Sequence, residues 1–214
     1  MFSAGKLGGS VWQGAIAFAQ YIAVNHKALN INNSRVLELG SGLGLSGLLT
    51  SKLGAKEVVL TEFGEDGISI ENDVDDKRLL PTALISNLRY AVAMNNCENV
   101  NVCHLDWYDY LPNSLSSRGE NKKFNNFDLI IGSDLLNWTD DAFPLYSTLK
   151  YLDKTNPNVK FLLCLPKNNR EGVPKLVEMI QEDKYFSQID IEEHCLIHFD
   201  EEYITLFITL SNAV

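Results

Sequence analysis

The stretch Arg35–Gly47, RVLELGSGLGLSG, decides how the chain folds. Val36, Leu37 and Leu39 around Glu38 form a short apolar run of the kind that makes a buried strand, and the run stops at Gly40. Gly40, Gly42 and Gly44 follow at alternate positions, where the lack of a Cβ lets the backbone turn sharply and lets a ligand lie against the peptide groups. Leu45, Leu48, Leu49 and Leu53 then recur at helical spacing, so the turn opens a helix whose unpaired N–H groups and positive dipole end face the same place. A dinucleotide turn would read G-x-G-x-x-G and a P-loop would need Gly-Lys-Ser/Thr; the E-x-G-x-G-x-G found here is neither. The alternatives are a turn built for another cofactor and a glycine-rich turn without a ligand.

Upstream, Gly8–Asn25 predicts an amphipathic N-terminal helix, with Ser10 as cap and Trp12, Ala15, Ile16, Ala19 and Ile22 on one stripe. Downstream, Gly54 closes the helix after the turn, and Val58–Thr61 makes a second strand ending at Glu62. Ligands of doubly wound sheets sit beyond the carboxyl ends of the strands, so an acid there can accept both hydroxyl protons of a ribose. Residues 63–78 are acidic and poor in large apolar side chains, which reads as a surface loop. Leu79–Asn96 has helical periodicity, Val100–His104 is a third strand, and Asp106-Trp107 follow it directly, an acid and an indole able to meet an adenine. Phe127–Ser133 reads as a central strand leading into Asp134-Leu135-Leu136-Asn137-Trp138. A helix at Ala142–Leu152, a strand at Val159–Pro166, a helix at Val173–Gln181 and a terminal pair, Phe186–Cys195 with Glu202–Leu210, bring the count to seven strands.

The length of 214 residues suits one domain with a core on both faces of a sheet. With 45% hydrophobic and 21% charged residues and no long apolar run, neither a membrane protein nor a disordered one is expected. MFSAGKLGG lacks the apolar stretch of a signal peptide and sits close to the first helix, which leaves room for a natural chain extended upstream. Cys97, Cys103, Cys164 and Cys195 form no C-x-x-C pair and read as reduced core residues of a cytoplasmic protein holding no metal. A net charge of −10 with no basic patch beyond Lys122-Lys123 argues against nucleic acid and for a basic protein partner, met by a monomer.

With these residues in view, the chain resembles the seven-stranded S-adenosylmethionine-dependent methyltransferases. Within them it resembles the protein-lysine methyltransferase family sometimes called methyltransferase family sixteen. Val11-Trp12-Gln13-Gly14-Ala15 is similar to that family's N-terminal tryptophan motif, and Val36–Gly44 to its glycine motif. Glu62, Trp107 and the run from Phe127 to Ser133-Asp134 follow in the family's order. The resemblance implies an α/β fold, a Rossmann-like seven-stranded sheet with helices on both faces and a terminal antiparallel strand pair. It implies S-adenosyl-L-methionine as cofactor, held by Trp12, Glu38, Gly40, Ser41, Gly42 and Gly44 from the N-terminal motifs, with Glu62 on the ribose. Asp106 and Trp107 would meet the adenine, and Ser133 would close the cofactor site. Transfer would fall to Asp134, which orients the acceptor amine, with Asn137 as a polar contact and Trp138 as an apolar wall. The family's mark is Asp-x-x-Tyr or Asp-x-x-Phe; here Asn137 stands at the fourth place and the aromatic, Trp138, comes one later. Glu62 replaces the commoner Asp, and the loop at 63–78 is longer than the family's connection.

The function implied is methyl transfer to a protein lysine. A methylase of small molecules or nucleic-acid bases is the first alternative; base amino-group methylases carry prolines where Leu135 and Leu136 stand. A cofactor-fold scaffold without catalysis is the second.

Overall fold

The computed structural model describes residues 10–63, 84–113, 124–198 and 201–212. Seven strands form one sheet in the order β3-β2-β1-β4-β5-β7-β6, where β1 is Arg35–Leu39, β2 Glu57–Glu62, β3 Val100–His104, β4 Leu129–Ser133, β5 Lys160–Pro166, β6 Gln188–His198 and β7 Glu201–Ser211. The first five run parallel, and β7 slots antiparallel between β5 and β6. Parallel strands are covered on both faces and so read as near-continuous apolar runs, as FLLCLP in β5 does.

Period-two alternation divides each run between two cores. Leu37, Leu39, Ile130, Phe161, Leu163 and Leu165 meet helices α4 (Ala142–Thr155) and α5 (Gly172–Asp183) on one face. Val36, Val58, Leu60, Ile131 and Leu162 meet α1 (Gln13–Asn25), α2 (Leu45–Lys52) and α3 (Leu84–Met94) on the other. The same alternation sends Glu38 to the α2 face.

Two helix faces differ from expectation. In α1 the buried stripe is Gly14, Ala17, Phe18 and Ile22, turned so that Phe18 meets Phe207 of β7 at a ring separation of 6.2 Å. The N-cap place falls to Trp12, not Ser10, and its side chain does not cap the helix. In α2 the buried residues are Ser46, Gly47 and Thr50, while Leu45 is exposed. A Cβ on Gly47 would run into Leu60 and lie 2.6 Å from the Glu38 carboxylate, so the small face lets the helix settle close to the sheet and the leucines pack along its flanks. The acidic loop beyond Phe63 and the start of the helix expected from Leu79 lie outside the described residues. Cys97, Cys103 and Cys164 are free thiols. Among the described residues no helix is long and apolar enough to cross a membrane, and no group of three metal-ligating side chains occurs.

Candidate active site

The strand order reverses between β1 and β4, and in open α/β sheets the crevice beyond the carboxyl ends at such a switch point is where ligands bind. Leu39 pairs with Gly132 across this junction, so the glycine turn after β1 and Ser133-Asp134 after β4 leave the sheet side by side. Gly40, Gly42 and Gly44 all hold positive φ, 54°, 54° and 79°. A Cβ at Gly40 would come within 2.8 Å of the Leu135 side chain and 3.7 Å of the Trp107 indole, which closes over the turn.

A cavity of about 400 Å³ opens here. Trp12, Gly40, Gly42 and Glu62 line it, Asp106 and Trp107 come in from beyond β3, and Ser133, Asp134, Asn137 and Trp138 come in from beyond β4. All three tryptophans of the chain therefore face one space. Leu84, Leu105 and Leu135 supply apolar wall, and Phe63, Tyr108 and Asp141 complete the lining.

Glu38, Ser41 and Gly44, expected on a cofactor, are buried beside the cavity and are not among the residues that line it. Glu38 is 2% exposed, and its Oε2 accepts the Gly47 N–H at 3.1 Å beneath the first turn of α2. Burial, reinforced by the charge of Glu62, pushes its carboxyl up to about 8 against the opposing hydrogen bonds from Ser41 and Gly47. Ser41 stitches the turn to β2: its N–H donates to the Thr61 carbonyl at 2.8 Å, and its Oγ accepts the Thr61 N–H at 3.1 Å. Gly44 caps α2, where a Cβ would crowd Leu88 and Leu60. Glu62 reaches the turn from β2, accepting the Gly42 N–H at 2.7 Å and the Phe63 N–H at 2.9 Å; burial raises its carboxyl. Asp106 accepts the Tyr108 N–H at 2.9 Å, opening the short 3₁₀ turn Trp107–Tyr110.

The β4 side is built from side chains that meet one another. Asp134 holds a positive φ of 54° and its side chain is 4% exposed. Arg170, from the loop after β5, donates to Oδ1 of Asp134 through Nε at 3.0 Å, with Nη2 also at 3.0 Å. The Arg170 guanidinium lies 5.2 Å from the centre of the Trp12 ring, and a Cβ on Gly14 would press on the Asp134 carboxylate, 3.0 Å from its Oδ2. The tryptophan motif and the acid after β4 are thus joined through Arg170. The sequence reading missed Arg170; its one signal was a basic residue just past a central strand. Tyr108 and Asp141 were missed as well, and they meet at the cavity's edge.

The model of the family described as lysine methyltransferase matches residues 3–190. The chain belongs to that family. Among curated relatives, the histone-arginine methyltransferase METTL23 of Xenopus laevis is 31% identical over 71% of this chain and 54% of its own. The protein N-lysine methyltransferase METTL21A of Xenopus tropicalis is 27% identical over 63% of this chain and 49% of its own. The chain spans about half the length of these relatives. Among solved structures, magnesium protoporphyrin IX methyltransferase of Synechocystis with bound SAM superposes with a TM-score of 0.60 over 92% of this chain and 79% of that one; at 10% identity this likeness is one of fold.

Proposed function

We propose that this lysine methyltransferase family member transfers a methyl group from S-adenosyl-L-methionine to a side-chain nitrogen of a protein, with lysine as the first acceptor. The observation that supports this most is the cavity at the β1/β4 junction, which gathers a positive-φ glycine turn, an acid after β2 and an indole after β3 beside the acid after β4. These residues fit the cofactor: glycines admit a chain against the backbone, Glu62 offers a carboxylate to a ribose, and Trp107 offers a stacking face. When bound, S-adenosylmethionine supplies an electrophilic methyl group on a positively charged sulfur.

What the chain contributes is position and a dry wall. Leu84, Leu105, Leu135 and the three indoles keep water from the reacting atoms. A lysine amine, with an ordinary pKa of about 10.4, must lose a proton before it attacks, and an apolar wall favours the neutral form. Asp134, engaged by Arg170, sets the shape of this half of the site. We read the chain as one domain, a monomer acting in the cytoplasm, and its charge of −10 supports a basic protein partner.

Arginine is the second reading. It is favoured by the histone-arginine methyltransferase that is 31% identical and by Asn137 standing where the lysine pattern has Tyr or Phe. The test is incubation with methyl-labelled cofactor, mixed core histones and a cell lysate, followed by hydrolysis to amino acids. Label recovered as methyl-lysine supports the first reading and as methyl-arginine the second. Label in nucleic acid, or in nothing, overturns both.

A further inference from the structure

The rim of the cavity carries a side-chain pair that the family pattern does not name. The Tyr108 hydroxyl donates to Oδ1 of Asp141 at 3.1 Å, joining the turn after β3 to the 3₁₀ turn Thr139–Asp141 before α4. Both residues line the cavity, and Tyr108 is 48% exposed, so the pair sits at the mouth. The Asp141 N–H donates to the Trp138 carbonyl at 3.3 Å, which fixes this carboxylate relative to an indole that is 53% exposed.

The other carboxylates of the cavity are differently engaged. Glu62 is taken by the Gly42 and Phe63 N–H groups, Asp106 caps the turn at Tyr108, and Asp134 is neutralised by Arg170. Among the described residues no basic side chain pairs with Asp141. Its carboxyl is raised by burial and by the neighbouring charge of Asp140, against the Tyr108 hydrogen bond, so its ionised form gains from a cation brought to it.

We infer that Asp141, held in place by Tyr108, receives the cationic side chain of the protein substrate, with the exposed face of Trp138 as the adjoining wall. The charge is recruited at the mouth, and a lysine nitrogen gives up its proton to water only as it leaves Asp141 for the apolar inner wall, which favours the neutral form. Asp141 is a substrate-binding residue and Tyr108 a positioning residue. This inference rests on the methyl-transfer reading above.

The test uses the full chain loaded with S-adenosylhomocysteine and titrated with n-butylammonium and n-butylguanidinium, side-chain mimics of lysine and arginine, followed by NMR. The wild type should bind at least one probe. Asp141→Asn should weaken that binding by about tenfold or more and Tyr108→Phe by about threefold, as expected for losing a charged and a neutral hydrogen-bond partner. Affinity for S-adenosylhomocysteine should stay within about twofold in both variants, and with core histones as substrate the KM should rise while kcat is largely kept. Wild-type probe binding in Asp141→Asn, binding of neither probe by the wild type, or a comparable loss of S-adenosylhomocysteine affinity would overturn the inference. Probe binding that depends on Asp141 in a protein that labels no protein substrate would uphold the cation site and remove the enzymatic reading instead.

Discussion

On the glycine-turn side of the cavity polar side chains bind backbone, and on the β4 side they bind one another. Glu62 holds Gly42, Glu38 holds Gly47 and Ser41 holds Thr61, each bond reaching main-chain N–H groups within or beside one strand-turn-helix unit. Across the cavity, Asp134 meets Arg170 and Tyr108 meets Asp141, side chain to side chain, over sequence separations of 36 and 33 residues. Backbone partners come with the fold, so one half of the site is set once β1, β2 and α2 form. The other half exists only when separate loops have docked, and it is where a change of one residue can change the acceptor.

The largest loss of stability at a single pH is expected from breaking the far side alone. Arg170→Ala leaves the Asp134 carboxylate, 4% exposed, without its cation, and stability should fall by about 3 kcal/mol, the lower end for a broken buried pair because Arg170 itself keeps 17% exposure. Denaturant titration measures this, and Arg170→Lys should recover part of the loss. An unchanged midpoint would mean that water already carries the charge.

On the glycine side, Gly42→Val puts a β-branched residue at a φ of 54°, a strain of about 1–2 kcal/mol, and fills the path of the cofactor. The rise in melting temperature that S-adenosylmethionine should give the wild type is expected to vanish. If the rise persists, the turn is not where the cofactor lies. Trp107→Ala sharpens the boundary between the halves, because the indole packs partly on the core and partly on the cavity. Calorimetry should show binding weaker by about 1–3 kcal/mol if the ring stacks on adenine. A less stable protein with full affinity would assign the ring to packing.

The last effect is read as a slope with pH, not as a loss at one pH. The Glu38 carboxyl is raised from 4.5 to about 8 in the folded chain, so the folded state holds a proton that the unfolded chain has released. Its contribution is fully present below pH 4.5 and is lost as pH rises towards 8, with a slope of at most about 1.4 kcal/mol per pH unit. Glu38→Gln keeps an acceptor for Gly47 and should flatten the stability profile over that window relative to wild type. Parallel profiles for the two proteins would show that Glu38 is ionised in the folded state.

The sequence disclosed the glycine side because its chemistry is local: a strand, three glycines and a helix lie within Arg35–Lys52, and strand order then delivers Glu62 and Trp107. β1, β2, β4 and β5 were legible for a similar reason, since runs buried on both faces carry a strong apolar signal, whereas the edge strands β3 and β6 keep exposed positions. The faces of α1 and α2 were not. Spacing finds an apolar stripe, but in α2 close approach at Gly47 decided which stripe meets the sheet. Glu38 was legible as an acid in the motif, but not its place under α2, where alternation turns it to the Gly47 N–H. The pairing of Asp134 with Arg170 had no local signature.

Having every tryptophan of the chain on the wall of one cavity gives the protein its own optical probe. Indole emission follows the water around the ring, so the intrinsic fluorescence of this protein reports on its site and on little else. Single Trp→Phe replacements would separate the signals of the stacked Trp12, the half-covered Trp107 and the outward Trp138. Ligand arrival at each wall could then be timed in a mixing experiment without attaching a dye.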